Sequence, residues 1–296
     1  MPHESLIRLV GFFTIFALIA IWEFAAPLRP LTTPKPLRWF SNLTIVILNT
    51  LVVRLFFSTT VVGFAVIVSQ NGWGFLNLLS WPDWLAGLAA VVALDFILYL
   101  QHVMFHALPF LWRFHMMHHA DLDVDVTTGT RFHLVEIVAS MIIKLVAVAV
   151  IGAPPRAVIT FEILLNATSM FNHGNVRMLR GLDRILRWMV VTPDMHRVHH
   201  SVIREETNSN FGFNLPWWDR LLGTYRPAPE KGQTGMTLGL NQFRDPSQLT
   251  LPWMLVLPFV GETGSYPLSR GGRNAEATGS VGLTKCGGRR ADSRAD

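Results

Sequence analysis

The frame H-x-x-H-H occurs twice, in FHMMHHA at 114–120 and in MHRVHHS at 195–201. It sets His115, His118 and His119, and again His196, His199 and His200, at offsets i, i+3 and i+4, which is one face of a helix. Neutral imidazole is the commonest side-chain ligand of transition metals. A third constellation lies upstream. In LDFILYLQHVMFH, Asp95, Tyr99, His102 and His106 follow one another at helical spacing. One tetrahedral zinc takes about four ligands. Two triplets and one pair suit two metal ions with four to five ligands each. On this reading each triplet brings one wall of a shared dinuclear site. The bland alternative is a set of coincident core or surface histidines. The repetition argues against it: of eleven histidines only His3 stands apart, and the others fall between 102 and 200.

Other residues near these motifs have two readings each. His133, in RFHLVE, and His173, in FNHGN, either ligate a metal or hydrogen-bond a ligand. A ligating histidine usually donates its second N–H to a carboxylate or carbonyl, and Glu136 and Asp194 are the natural candidates. Asp121, Asp123 and Asp125 also lie close in sequence, with helix capping as the competing role for Asp121 and Asp194. Asn210 and Asp219 either make polar contacts at the site or fix turns.

These side chains need a scaffold, and the scaffold reads as helices in a bilayer. Half the residues are hydrophobic and only 15% are charged, where a soluble protein carries about 25% charged residues. The runs Leu6–Ala26, Leu43–Ser69 and Trp84–Leu108 approach or exceed the roughly 20 apolar residues that span a membrane. Leu134–Gly152 and Val158–Phe171 are weaker, and form a spanning pair or a re-entrant hairpin. The first run is too long for a signal peptide and is read as a retained helix. Loop 27–42 carries Arg29, Lys35 and Arg38, whereas loop 70–83 has no Lys or Arg. The positive-inside rule then puts loop 27–42, and with it the histidines, on the cytoplasmic face. Residues 178–190 pattern as an amphipathic helix on the membrane surface, with Leu179, Leu182, Ile185, Leu186 and Met189 on its apolar face. The expected fold is all-α: a multi-pass membrane helical bundle with a cytoplasmic His-rich metal-binding cap. The expected divisions are N-terminal transmembrane helices (1–80), a His-rich catalytic domain (81–230), a C-terminal extension (231–261) and a disordered tail (262–296).

Several classes are disfavoured. One cysteine, Cys286, leaves no internal disulfide and no cysteine-ligated cluster within one chain. The net charge of +5 comes from arginines scattered between apolar runs and in the tail, not from a basic stripe, so no nucleic-acid partner is expected.

Taken together, WRFHMMHH at 112–119, RFHLVE at 131–136, NHGN at 172–175, HRVHH at 196–200 and WDRLLGTY at 218–225, with the histidine pair at 102–106, resemble the fatty acid hydroxylase superfamily, most of all its sterol desaturase branch. The resemblance covers roughly residues 80–226. It departs at SNFGF, where a tyrosine is more usual before the glycine. It implies an integral membrane oxidoreductase with two histidine-held iron ions, which uses O2 and two electrons to hydroxylate or desaturate a lipid (sterol, fatty acyl or related). It implies His102, His106, His115, His118, His119, His173, His196, His199 and His200 as ligands, while His133, Glu136 and Asp194 stand, on their places in the sequence alone, as further ligands or their partners. Zinc binds nitrogen sites more tightly than Fe(II) and competes for them in a purified protein.

The chemistry agrees with the residues. An aliphatic C–H bond has no acidic proton and no leaving group, so breaking it calls for a redox centre and O2. The chain has no flavin or haem-attachment motif, so an external donor, ferredoxin or cytochrome b5-type, is expected. Two other classes compete. A membrane zinc hydrolase would need fewer histidines and a glutamate beside them, as in H-E-x-x-H. A metal or haem-binding transport protein would place polar groups along several spans or in facing pairs.

Overall fold

The computed structural model describes residues 4–270; His3 and the residues from 271 onward lie outside it. Proline opens many of its helices, because the first turn of a helix has no use for the missing N–H. The order is α1 (Glu4–Ala25), α2 (Lys35–Phe56), α3 (Val61–Gln70), α4 (Asp83–Ala107), α5 (Pro109–His119), α6 (Leu134–Ile151), α7 (Pro155–Asn172), α8 (Arg180–Leu186), α9 (Pro193–His199), α10 (Arg204–Thr207), α11 (Trp217–Leu221), α12 (Gly232–Gly235) and α13 (Leu251–Val260). Pro36, Pro109, Pro155, Pro193 and Pro252 each occupy a first turn. Among the described residues there is no β-strand beyond isolated bridges, as expected of an all-α chain.

Four segments are long and apolar enough to cross a membrane: Leu6–Ala25, Lys35–Leu78, Asp83–Ala107 and Leu134–Ile151. The expected span Leu43–Ser69 falls on two helices, α2 and α3. The helix stops at Phe56, and Thr60 caps a new one by accepting from the Gly63 N–H. The packing gives the direction of each helix. Asn49 of α2 donates to the Phe132 carbonyl at the start of α6. At the other end of α6, Gly74 lies against Gly152, so close that a Cβ on Gly74 would sit 2.2 Å from the Gly152 nitrogen. The chain from α2 to residue 74 therefore runs the length of α6, away from the histidines. α4 returns toward them, α6 leaves again, and α7 comes back to end at His173. α1 lies along α7, with an Arg8–Glu162 ion pair on one side and Glu23 near the other end, where its carboxylate accepts from the Val126 and Asn175 amides. Lys144, costly in lipid if alone, also faces Glu162, at 3.7 Å.

The apolar interior follows this layout. Val62 and Ala65 of α3, Leu94 and Leu98 of α4, Val148 of α6 and Val158 and Phe161 of α7 share one buried cluster. A second cluster, including Trp112, Met116, Leu240, Met254 and Tyr266, joins α5 to the C-terminal segment. Side chains of α8 and its flanks, Leu179, Ile185, Trp188 and Met189, stay exposed, though the helix is shorter than the 178–190 pattern.

One sequence expectation changes here. Arg38, counted among the cations of loop 27–42, is fully buried inside the cap. Its guanidinium donates to Asp121 at 2.9 and 3.0 Å and to Asp125 at 2.7 Å, and also reaches the Asp123 carbonyl. Burial alone would raise the Asp121 carboxyl, but Arg38 and then Arg131 outweigh it and hold it below the usual carboxylate range. Of the expected tail 262–296, Thr263 and Tyr266 are buried against α5, and the part from 271 onward lies outside the described residues.

Candidate metal centre

Each histidine reaches the cap for a local reason. The last two turns of α4 carry His102 and His106, and α5 turns back after Leu108 to bring His115, His118 and His119 over them. His173 follows the end of α7. α9 carries His196 and His199, with His200 next in the chain. All are buried.

They form two groups, His102, His106, His115, His119 and His199 in one and His118, His173, His196 and His200 in the other, with the ligand atoms of each group within 4.8 Å of one another. Each triplet feeds both groups, where the sequence reading gave each triplet one wall. In the first triplet i and i+4 join the larger group and i+3 the smaller. In the second, i and i+4 join the smaller and i+3 the larger. Helix geometry explains the split. At about 100° per residue, positions i and i+4 point within about 40° of each other, while i+3 and i+4 diverge by about 100°.

In both groups the Nε2 atoms converge. His102 faces His115 at 3.0 Å and His199 at 3.1 Å; His119 faces His106 at 3.1 Å and His115 at 3.3 Å. In the smaller group His173 is the hub, 3.1 Å from His118, His196 and His200.

The outer nitrogens decide what these contacts are. Nδ1 of His102 meets the Phe211 carbonyl at 2.7 Å, that of His199 the Ser209 carbonyl at 2.7 Å, that of His118 the Arg131 carbonyl at 3.1 Å and that of His173 the Ser169 carbonyl at 2.7 Å. Nδ1 of His115 meets Glu136 Oε1 at 2.7 Å and Nδ1 of His106 meets Asn208 Oδ1 at 3.1 Å. Each partner is an acceptor, so the ring proton sits on Nδ1 and Nε2 carries a bare lone pair. Lone pairs facing at 3.0 Å repel unless a cation lies between them. Around an ion with bonds of about 2.1 Å, adjacent nitrogens at right angles stand about 3.0 Å apart. The donor set therefore fits a metal in each group. Burial, reinforced by neighbouring imidazoles, holds His118, His119, His196, His199 and His200 well below the ordinary 6.5, and burial sets His173 at about 4. Neutral rings at physiological pH are what ligation needs.

Loop 208–213 supplies three of these acceptors through one bend. Asn210 has φ +53°, a left-handed conformation, and is held there. Its amide donates to the Met195 and Arg226 carbonyls, and its oxygen accepts from the Arg226 N–H. Asp219 accepts from the Phe211 and Gly212 amides at 2.8 and 2.9 Å. Of the two roles read from sequence, Asn210 and Asp219 therefore fix a turn, and that turn aims the Ser209 and Phe211 carbonyls at His199 and His102.

The remaining candidates fall outside the two groups. His133 is the N-cap of α6, accepting from the Val135 N–H, with its other nitrogen 3.2 Å from the Leu255 carbonyl. Asp194 pairs with Arg197 at 2.7 Å and meets no histidine, because its place in the first turn of α9 points it away from the metal-facing side. Asp123 holds the Thr32 and Thr33 amides. The sequence reading missed Asn208, Arg38 and the backbone carbonyls. An arginine entering an apolar run was a visible signal for Arg38; carbonyl acceptors leave none.

Helices sized for a bilayer, with buried histidines gathered at one end, define an all-helical membrane protein with a histidine-built metal-binding cap. Residues 87–224 match the family described as Fatty acid hydroxylase. It is 34% identical to "Ornithine lipid hydroxylase OlsE" of Rhizobium tropici over 164 residues, 53% of this chain and 48% of that protein. It is 30% identical to "Alkylglycerol monooxygenase" of Xenopus tropicalis over 171 residues, 58% of this chain and 36% of that protein. "Cholesterol 25-hydroxylase" of Mus musculus is 26% identical over 145 residues, 48% of this chain and 47% of that protein. The chain thus spans about half or less of the length of these relatives. No solved structure gives a significant match.

Proposed function

We propose that this chain is a membrane di-iron oxygenase that hydroxylates a lipid, with His102, His106, His115, His119 and His199 holding one iron and His118, His173, His196 and His200 the other. The observation that carries the reading is the convergence of bare Nε2 atoms in two buried groups. The relatives named above act on an ornithine lipid, an alkylglycerol and cholesterol, which supports a lipid substrate and, between hydroxylation and desaturation, favours hydroxylation.

When bound, the iron pair supplies O2 activation: one oxygen atom enters the C–H bond, the other leaves as water, and two electrons and two protons are consumed. The protein's part is to hold and to exclude. Backbone carbonyls, the Asn208 amide oxygen and Glu136 keep the outer ring proton of His102, His106, His115, His118, His173 and His199 on Nδ1. Phe213 lies against His102 at 4.9 Å and His196 at 6.3 Å between ring centres, one ring from each group. It gives an alkyl chain an apolar wall beside both ions and keeps bulk water away. The electrons come from an external donor, a ferredoxin or a cytochrome b5-type protein. A zinc hydrolase is disfavoured because, among the described residues, no carboxylate joins either group.

The cap lies on the cytoplasmic face in this reading, with the start of α1 on the other side; a reporter fused after residue 120 should score as cytoplasmic. The decisive experiment compares lipid extracts of cells with and without the chain by mass spectrometry, beside elemental analysis of the purified protein. The expected result is two metal ions per chain and a lipid that gains one oxygen. One ion or none in fully loaded protein would overturn the dinuclear reading.

A further inference from the structure

The segment that follows α13 lies beyond the residues that match the family, yet it reaches the larger histidine group. Tyr266 is buried, and its ring stacks on Trp112 at 5.8 Å. Its hydroxyl donates to the Val202 carbonyl and accepts from the Asn241 amide. Trp112 donates its indole N–H to the Thr263 carbonyl and packs on His106 at 4.8 Å and His119 at 5.3 Å. The backbone carbonyl of Tyr266 accepts from Asn208 Nδ2 at 2.8 Å. The other end of that amide, Oδ1, faces His106 Nδ1 at 3.1 Å.

An asparagine amide has a donor end and an acceptor end, and they exchange on a half-turn. With Oδ1 toward His106, the ring proton stays on Nδ1 and Nε2 is free to bind metal. With Nδ2 toward His106, Nδ1 must accept. The proton then moves to Nε2, and the ring can no longer ligate. The Tyr266 carbonyl decides between these states, because only the NH2 end can donate to it. We infer that Asn208, locked by the Tyr266 carbonyl, is a positioning residue that fixes His106 in its metal-binding tautomer, so that the C-terminal segment helps to hold the metal of the five-histidine group. The inference rests on the metal reading above and adds a determinant from outside the matched segment.

The test is metal retention by the full-length chain during titration with a competing chelator, using Zn2+ as the probe. Wild type should hold two equivalents; if it holds none, the metal reading itself falls, and the experiment has not reached Asn208. Asn208→Leu keeps the bulk and removes the acceptor. It should retain the metal of the four-histidine group and release the other at roughly 10–100-fold lower chelator concentration, the loss usual when the partner of a ligand is removed. Asn208→Asp still offers an oxygen to Nδ1 and should restore retention. A purely structural role for Asn208 predicts no such rescue, because the aspartate cannot donate to the Tyr266 carbonyl. Wild-type retention in Asn208→Leu overturns the inference. So does an Asn208→Asp variant that loses the metal, including the case where Asn208→Leu fails to fold.

Discussion

Replacing His173 with alanine tests the division of the histidines most directly. His173 is the hub of the smaller group, 3.1 Å from the Nε2 atoms of His118, His196 and His200. It also stands outside both repeated motifs. Removing it takes one of four nitrogens from that group and none from the other. A four-ligand zinc site contributes about 10–16 kcal/mol in total. An equal share per ligand is about 3–4 kcal/mol, or a few-hundred-fold in Kd at about 1.4 kcal/mol per tenfold. His102→Ala, by contrast, leaves four imidazoles in its own group and should lose much less. Chelator titration with elemental analysis of the retained metal measures both. At a chelator concentration that leaves wild type fully loaded, His173→Ala should keep one equivalent and His102→Ala close to two. The reasoning is refuted if His173→Ala holds both ions as tightly as wild type, or if His102→Ala proves the weaker binder.

Two further outcomes concern the scaffold. Arg38→Met leaves Asp121 and Asp125 buried without their guanidinium, which should destabilise the protein by about 3–5 kcal/mol and lower the apparent Tm by roughly 10 °C. Thermal unfolding followed by tryptophan fluorescence reads this, and a shift under a degree or two would mean that Arg38 does not anchor the cap. Acid should destabilise the metal-free protein. The unfolded histidines take up protons near 6.5 while His173 resists to about 4, so stability is full above pH 6.5 and falls as pH drops through that window, by about 3 kcal/mol for His173 alone. Equal unfolding temperatures for metal-free protein at pH 8 and pH 5 would contradict the burial of neutral rings.

Much of this architecture could be read before the structure. The spacing of His102 and His106 placed them together on one face, and apolar length located α1, α4 and α6. What escaped had physical causes. The break between α2 and α3 is set by Thr60, whose capping bond competes quietly inside an apolar run. Arg38 counted as a surface cation because its partners lie more than 80 residues away. The splitting of each triplet was implicit in helix geometry, since i+3 and i+4 share a face but not a direction. Asn208 gave no signal, because its role depends on a carbonyl 58 residues later in the chain.

The exchanged triplets also bear on spacing. His118 and His119 are sequence neighbours that serve different groups, and so are His199 and His200. Two single peptide units, each holding its Cα atoms about 3.8 Å apart, therefore tie the groups together. Coordination by two such dipeptides works like a caliper locked at both jaws. Ions bound there would keep their separation through covalent geometry, whatever small molecule came and went between them.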